Sequence, residues 1–447
     1  MPAGTPTPSS TRSPWQVPGQ VPLTVTDGRE LVFNLSSFPL PKPRESSHHN
    51  PSFLIPVHPL FHPTVSIPKS QQTLSFSTRR LSSPLPLAPT MDFFHDANMA
   101  TTPTSLCHDD SLSGPTPSGR IPDGVYVPML AFFTPQDTID VPTTQRHTAR
   151  LIAAGVAGLV VHGSNGEAVH LSRRERREVI EAVADAARHE VDSHSPLPII
   201  AGCSAPSVRE TIELCQEAHT AGATHALILP PGYYAGILSK DAIVSYFNAV
   251  ADASPIPILI YNFPPAAHGV DLDSDTILRI ATHPRVVGVK LTCGNTGKLA
   301  RVVADAPKAR GGRDDFFVAG GSADFVLQGL VVGAHGTISG FANLAPRACV
   351  RIGELFAQGR FAEARELQHE VARADWLAIR YGFVGVKVAM PYFHGEGEAS
   401  CSLPRLPFTD LREKGGRARD EIEAGMASVL AIETQLAQEA ARSYGKE

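Results

Sequence analysis

The chain has 447 residues, with 39 lysines and arginines against 44 aspartates and glutamates, for a formal net charge of −5. That balance excludes nucleic-acid binding through bulk charge. A hydrophobic fraction of 42% with 19% charged residues fits a globular protein with a full core, organised as two or three domains or as one α/β barrel with extensions.

Residues 1–90 differ from the rest in composition. They hold 17 of the 39 prolines and only 3 of the 36 glycines. Short apolar runs such as Leu31-Val32-Phe33 and Phe53-Leu54-Ile55 stop within a few residues at proline. Proline removes a backbone donor and fixes φ, so a disordered Pro/Ser-rich extension is expected over 1–118. Its seven basic residues against three acidic ones in 1–90 are what a transit segment carries, although this proline density opposes an amphipathic helix. The readings are a disordered tail, an upstream start before Met91 or Met99, or a targeting segment. The expected compartment is the cytoplasm, with mitochondria as the alternative. No apolar run approaches 18 residues, so no membrane partner is expected. Six scattered cysteines without a CxxC pair argue against a zinc ribbon or a disulfide scaffold.

From about residue 120, short β-branched runs alternate with amphipathic stretches. Strands are expected at Val125–Phe133, Gly158–Gly163, Leu197–Cys203, His225–Leu229, Ile256–Asn262, Val286–Leu291, Phe316–Ala319 and Gly336–Gly340. Near-continuous apolar strands imply burial on both faces, as in a parallel sheet covered by helices. Ser172-Arg-Arg-Glu175 and Ser207-Val-Arg-Glu210 read as capping boxes that start two of the helices. Eight βα repeats predict a (β/α)₈ TIM barrel over 119–345, with a doubly wound sheet as the alternative. Helical patterns at 346–357, 361–380 and 418–441, with a Pro/Gly-containing connection over 391–417, predict a C-terminal helical extension over 346–447.

Chemistry in a barrel belongs at the C-terminal ends of the strands. Lys290, inside the apolar run Val286-Val-Gly-Val-Lys290, is costly to bury. It is either a desolvated amine able to form a Schiff base or a lysine snorkelling from the strand end. Gly385-Val-Lys387 repeats the local pattern beyond the eight repeats, where a structural role is expected. Tyr261, ending Ile258-Leu-Ile-Tyr261, is a proton shuttle or a core phenol. Gly163-Ser164-Asn165-Gly166-Glu167 either cradles a carboxylate or forms a plain turn, with Glu167 bonding its own loop. The glycines of Ala319-Gly320-Gly321-Ser322 and Gly336–Gly340 leave space for a substrate tail or simply pack tight turns.

Taken in order, Gly163-Ser-Asn-Gly-Glu167, Tyr261-Asn-x-Pro264 and Gly288-Val-Lys290 resemble the dihydrodipicolinate synthase/N-acetylneuraminate lyase family of class I aldolases, over about residues 121–395. The resemblance implies a lyase in which Lys290 forms the imine with a pyruvyl unit and Tyr261 moves protons. It also implies that Ser164 relays protons and, with Asn165, binds the substrate carboxylate. Ile338 would offer a backbone carbonyl, Gly320 would face the substrate, and Tyr233 and Tyr234 match a region that reaches a neighbouring subunit. The implied assembly is a homo-oligomer, a dimer or tetramer, with no cofactor and no metal.

Dihydrodipicolinate synthases proper carry an arginine soon after Tyr-Asn-x-Pro, where this chain has Pro265-Ala-Ala-His-Gly269. The spelling here is closer to 4-hydroxy-2-oxoglutarate aldolases and fungal 2-keto-3-deoxy-sugar-acid aldolases. Both cleave a 4-hydroxy-2-oxo acid to pyruvate and an aldehyde. The alternatives are a keto-deoxy-sugar-acid dehydratase or a dihydrodipicolinate synthase using the same imine.

Overall fold

The computed structural model describes residues 121–190, 197–395, 403–411 and 416–444. The extension expected over 1–118 lies outside them. The strands are β1 (Gly124–Pro128), β2 (Gly158–Val161), β3 (Ile199–Gly202), β4 (His225–Ile228), β5 (Ile258–Asn262), β6 (Val286–Leu291), β7 (Phe317–Gly320) and β8 (Gly336–Ile338). They pair in parallel in chain order, and β8 pairs back with β1. The sheet is therefore closed, not doubly wound.

Helices α1 (Val141–Ala153), α2 (Arg173–Glu190), α3 (Val208–Ala221), α4 (Lys240–Ala253), α5 (Ser274–Ala281), α6 (Thr296–Ala309) and α7 (Val326–Val331) alternate with the strands. Next, α8 (Pro346–Ala357) follows β8 and packs on β1 and α7, then α9 (Phe361–His394) and α10 (Arg417–Tyr444) complete the chain. Short polar side chains start the helices by satisfying orphan backbone donors. Asp140, Ser207, Ser239, Asp273 and Asn295 each accept from the backbone N–H three residues on. At Ser172 the box is reciprocal: the Glu175 carboxylate accepts from the Ser172 N–H at 2.8 Å, and Ser172 Oγ accepts from the Glu175 N–H at 3.3 Å.

Two elements differ from the sequence expectation. The run 125–133 leaves the sheet after Pro128, yet Met129 to Phe133 remain buried. Phe132 packs edge-on against His147 of α1, Phe133 lies beneath Lys387 and Arg405 of the C-terminal extension, and the Leu130 N–H bonds Asn343 Oδ1 instead of a strand. The helix expected to end at 380 continues to His394, broken by non-helical geometry at Gly382 (φ 62°, ψ −159°). A positive φ is cheap only for glycine, so the break falls where the sequence can take it.

The core has two layers, one between strands and helices and one inside the barrel. Tyr126, Val160, Ile200, Leu227, Leu259, Tyr261, Phe317 and Ile338 fill the inner layer. A register shift between β5 and β6 decides which way the sixth strand faces. Val286 packs in the outer layer, so strict alternation would also point residue 290 outward. The pairing steps from Ile258↔Val286 to Leu259↔Gly288, and this extra residue turns Lys290 inward beside Tyr261. Gly288 permits the close approach, since a Cβ there would lie 2.7 Å from the Phe317 carbonyl oxygen.

Candidate active site

A cavity of about 570 Å³ opens over the C-terminal ends of the strands, under α9. Lys290 reaches it from β6 and is 3% exposed. Its Cα pairs with Tyr261 on one side and with the small Ala319 on the other, which leaves room for its side chain. Lys290 Nζ lies 4.5 Å from the centroid of the Tyr261 ring. Tyr261, 4% exposed, stacks on Phe263 with ring centroids 5.8 Å apart. Its phenol oxygen lies 3.5 Å from Ser164 Oγ, so a hydroxyl pair joins the β2 loop to β5. The amine, the phenol and the serine hydroxyl thus meet in one cavity, which is what forming an imine and moving protons around it requires.

Asn165 also lines the cavity, backed by Gly340: a Cβ on Gly340 would lie 2.0 Å from Asn165 Nδ2. Asn262, the second residue of the Tyr-Asn-x-Pro motif, holds the end of β5. Its amide donates to Asp271 at 2.7 Å and its carbonyl accepts from the Leu272 N–H at 2.9 Å.

The β2 loop is clamped from the C-terminal extension. Glu167, buried with a left-handed φ of 49°, accepts from His170 Nδ1 at 3.0 Å, from the Arg405 N–H at 3.0 Å and from the Lys387 ammonium. The carboxylate therefore bonds its own loop and two residues beyond it. Lys387 also donates to the Leu403 carbonyl at 2.8 Å and lies over the Phe133 ring, 4.6 Å from its centroid. Burial pulls the Lys387 ammonium down to about 8 despite the attraction of Glu167. Arg405 continues the clamp through Glu175 at 2.8 Å and Asp137 at 2.7 Å, and its hydrogen bond holds Glu175 at about 2.

Other sequence candidates take different places. Ile338 and Gly320 are strand residues behind the cavity, and the residues after them, Ser339, Gly340 and Gly321, line it. Tyr233 and Tyr234 are 70% and 63% exposed and pack edge-on at 4.9 Å, outside the cavity lining. His268 sits beside Tyr233, also outside it.

Two carboxylates were not anticipated: Asp324 after β7 and Asp375 on α9 both line the cavity. Asp375 is pushed up to about 6, chiefly by burial. Its position among the buried Val371, Ala374 and Ala378 of α9 was the available signal. Among the described residues, no group of three or more His, Cys, Asp or Glu side chains is placed to hold a metal ion.

Sequence and structure comparisons agree on ancestry. The model of the dihydrodipicolinate synthetase family matches residues 121–424. A protein of Emericella nidulans that carries the designation of a mitochondrial 4-hydroxy-2-oxoglutarate aldolase is 52% identical over 64% of this chain and 88% of its own length. The L-threo-3-deoxy-hexylosonate aldolase of Hypocrea jecorina is 43% identical over 71% of this chain and 98% of its own. Among solved structures, a dihydrodipicolinate synthase family protein from Coccidioides immitis is 37% identical, with TM-score 0.62 over 70% of this chain and 98% of its own. A prophage protein of E. coli K12, solved with pyruvate, is 26% identical with TM-score 0.60, over 70% of this chain and 98% of its own. The chain belongs to the dihydrodipicolinate synthetase family.

Proposed function

We propose that the chain is a class I aldolase that interconverts a 4-hydroxy-2-oxo acid with pyruvate and an aldehyde. The observation that carries this reading is the buried Lys290 amine beside the Tyr261–Ser164 hydroxyl pair in one cavity. In the cleavage direction, Lys290 Nζ adds to the 2-oxo carbon and water leaves, forming a protonated imine. Tyr261 gives its proton to that departing water and, as the resulting phenolate acting through Ser164, takes the proton of the C4 hydroxyl. The C3–C4 bond then breaks, its electron pair flows into the imine to form an enamine, and the aldehyde departs. Protonation at C3 and addition of one water release pyruvate and the free amine. Ser164 and Asn165 hold the pyruvyl carboxylate.

No arginine lines the cavity among the described residues, which weighs against a substrate with a distal carboxylate fork of the dihydrodipicolinate synthase kind. The side-by-side exposure of Tyr233 and Tyr234 supports a contact with a second copy, in a dimer or tetramer. The mitochondrial designation of the Emericella nidulans relative supports the targeting reading of residues 1–90.

Product analysis tests the reaction. Pyruvate and aldehyde in equal amounts, lost in Lys290→Ala, are expected; a dehydrated oxo acid without aldehyde would instead identify a dehydratase.

A further inference from the structure

The residues assigned to the pyruvyl half leave part of the cavity wall without a role. Thr292 from the β6–α6 connection, Ser322 and Asp324 from the β7–α7 connection and Asp375 from α9 form a second polar face. Asp375 is already committed: its Oδ2 accepts from Ser322 Oγ at 2.7 Å and from the N–H groups of Ala323 and Asp324 at 2.8 and 3.0 Å. Asp324 Oδ1 and Thr292 Oγ1 are buried atoms with no hydrogen-bond partner. Ser339 Oγ, on a fully buried residue that lines the same cavity, is also without one. Buried polar atoms are ordinarily satisfied, so three orphans around one cavity point to a ligand with several hydroxyl groups.

The charges point the same way. Lys290 is the one basic side chain among the described residues lining the cavity, and imine formation uses its nitrogen. The remaining carboxylates, Asp324 and Asp375, are both acidic, and Asp324 adds to the upward shift that burial imposes on Asp375. An aldehyde carrying its own carboxylate would meet these two acids with no unused cation.

We propose that the aldehyde half of the substrate is neutral and hydroxyl-bearing, with Asp324 accepting from one hydroxyl and Thr292 bonding another, and that these residues discriminate against a second carboxylate. The inference rests on the imine reading of Lys290 and deepens it.

The test uses the full chain, pyruvate, and two aldehydes as probes: glyceraldehyde, which is neutral and dihydroxylated, and glyoxylate, which is anionic. The expected kcat/KM is at least about tenfold higher for glyceraldehyde, and Asp324→Asn lowers that ratio by about tenfold. Thr292→Val, an independent variant, should lose rate with glyceraldehyde and keep it with glyoxylate. A preference for glyoxylate, or variants that slow both aldehydes equally, would overturn the proposal. Borohydride trapping of pyruvate on Lys290 needs no aldehyde and separates the two failures. Trapping with a glyoxylate preference overturns the specificity alone, whereas no trapping overturns the imine reading and this inference with it.

Discussion

Lys387→Met would leave the buried Glu167 carboxylate with two of its three partners, His170 and the Arg405 N–H. Both members of the pair have fully buried side chains. Removing one partner of such a pair costs about 3–5 kcal/mol, because the other charge stays desolvated. The pair itself is not a net gain of that size. Lys387 drops from 10.5 to about 8, which at 1.36 kcal/mol per pKa unit sets about 3 kcal/mol against its charged form in the fold. Lys387→Met combined with Glu167→Gln should therefore recover most of the loss.

The pH signature follows from the sign of the shift. Between about pH 8 and 10.5 the unfolded chain binds the Lys387 proton and the folded one does not, so stability from this group rises with pH in that window. Urea unfolding of the wild type, both single variants and the double variant, at pH 7.5 and 9.5, measures every term. A single-variant loss below about 1 kcal/mol, or a double variant no better than the sum of the singles, would refute the buried-pair reasoning.

Two further outcomes are expected. Tyr261→Phe removes the hydroxyl that meets Ser164 and should lower kcat about 10²-fold or more while pyruvate still traps on the enzyme; unchanged turnover in steady-state assays would remove Tyr261 from proton transfer. Asp375→Asn keeps an acceptor for Ser322, Ala323 and Asp324 but cannot ionise. Because the folded Asp375 sits at about 6 against an ordinary 3.8, its contribution to stability is complete below about pH 3.8 and is lost as pH rises through 6. The variant should gain by about 2 kcal/mol relative to wild type between pH 4 and pH 7. Thermal unfolding across that range checks it, and a constant difference would contradict the assigned cause.

The barrel was legible because eight apolar runs alternate with capped amphipathic helices, and Lys290 because an ammonium does not belong in an apolar strand. Other features depend on contacts that periodicity does not carry. The apolar residues 129–133 look like a continuation of β1, and only tertiary contacts explain them, Phe132 with α1 and Phe133 with the C-terminal extension. The direction of Lys290 depends on a register shift set by pairing with β5. Asp324 and Asp375 reach the cavity from a loop and a helix whose meeting is a tertiary fact. Tyr233 and Tyr234 were legible as a pair of aromatics, but their outward placement is a property of the folded surface.

Reductive trapping reads the imine proposed for Lys290 at the residue itself. Incubation with pyruvate and borohydride, followed by peptide mass analysis, should add about 72 Da to the peptide containing Lys290 and abolish activity. No adduct, or an adduct on another lysine such as Lys387, would rule out Lys290 as the imine-forming amine.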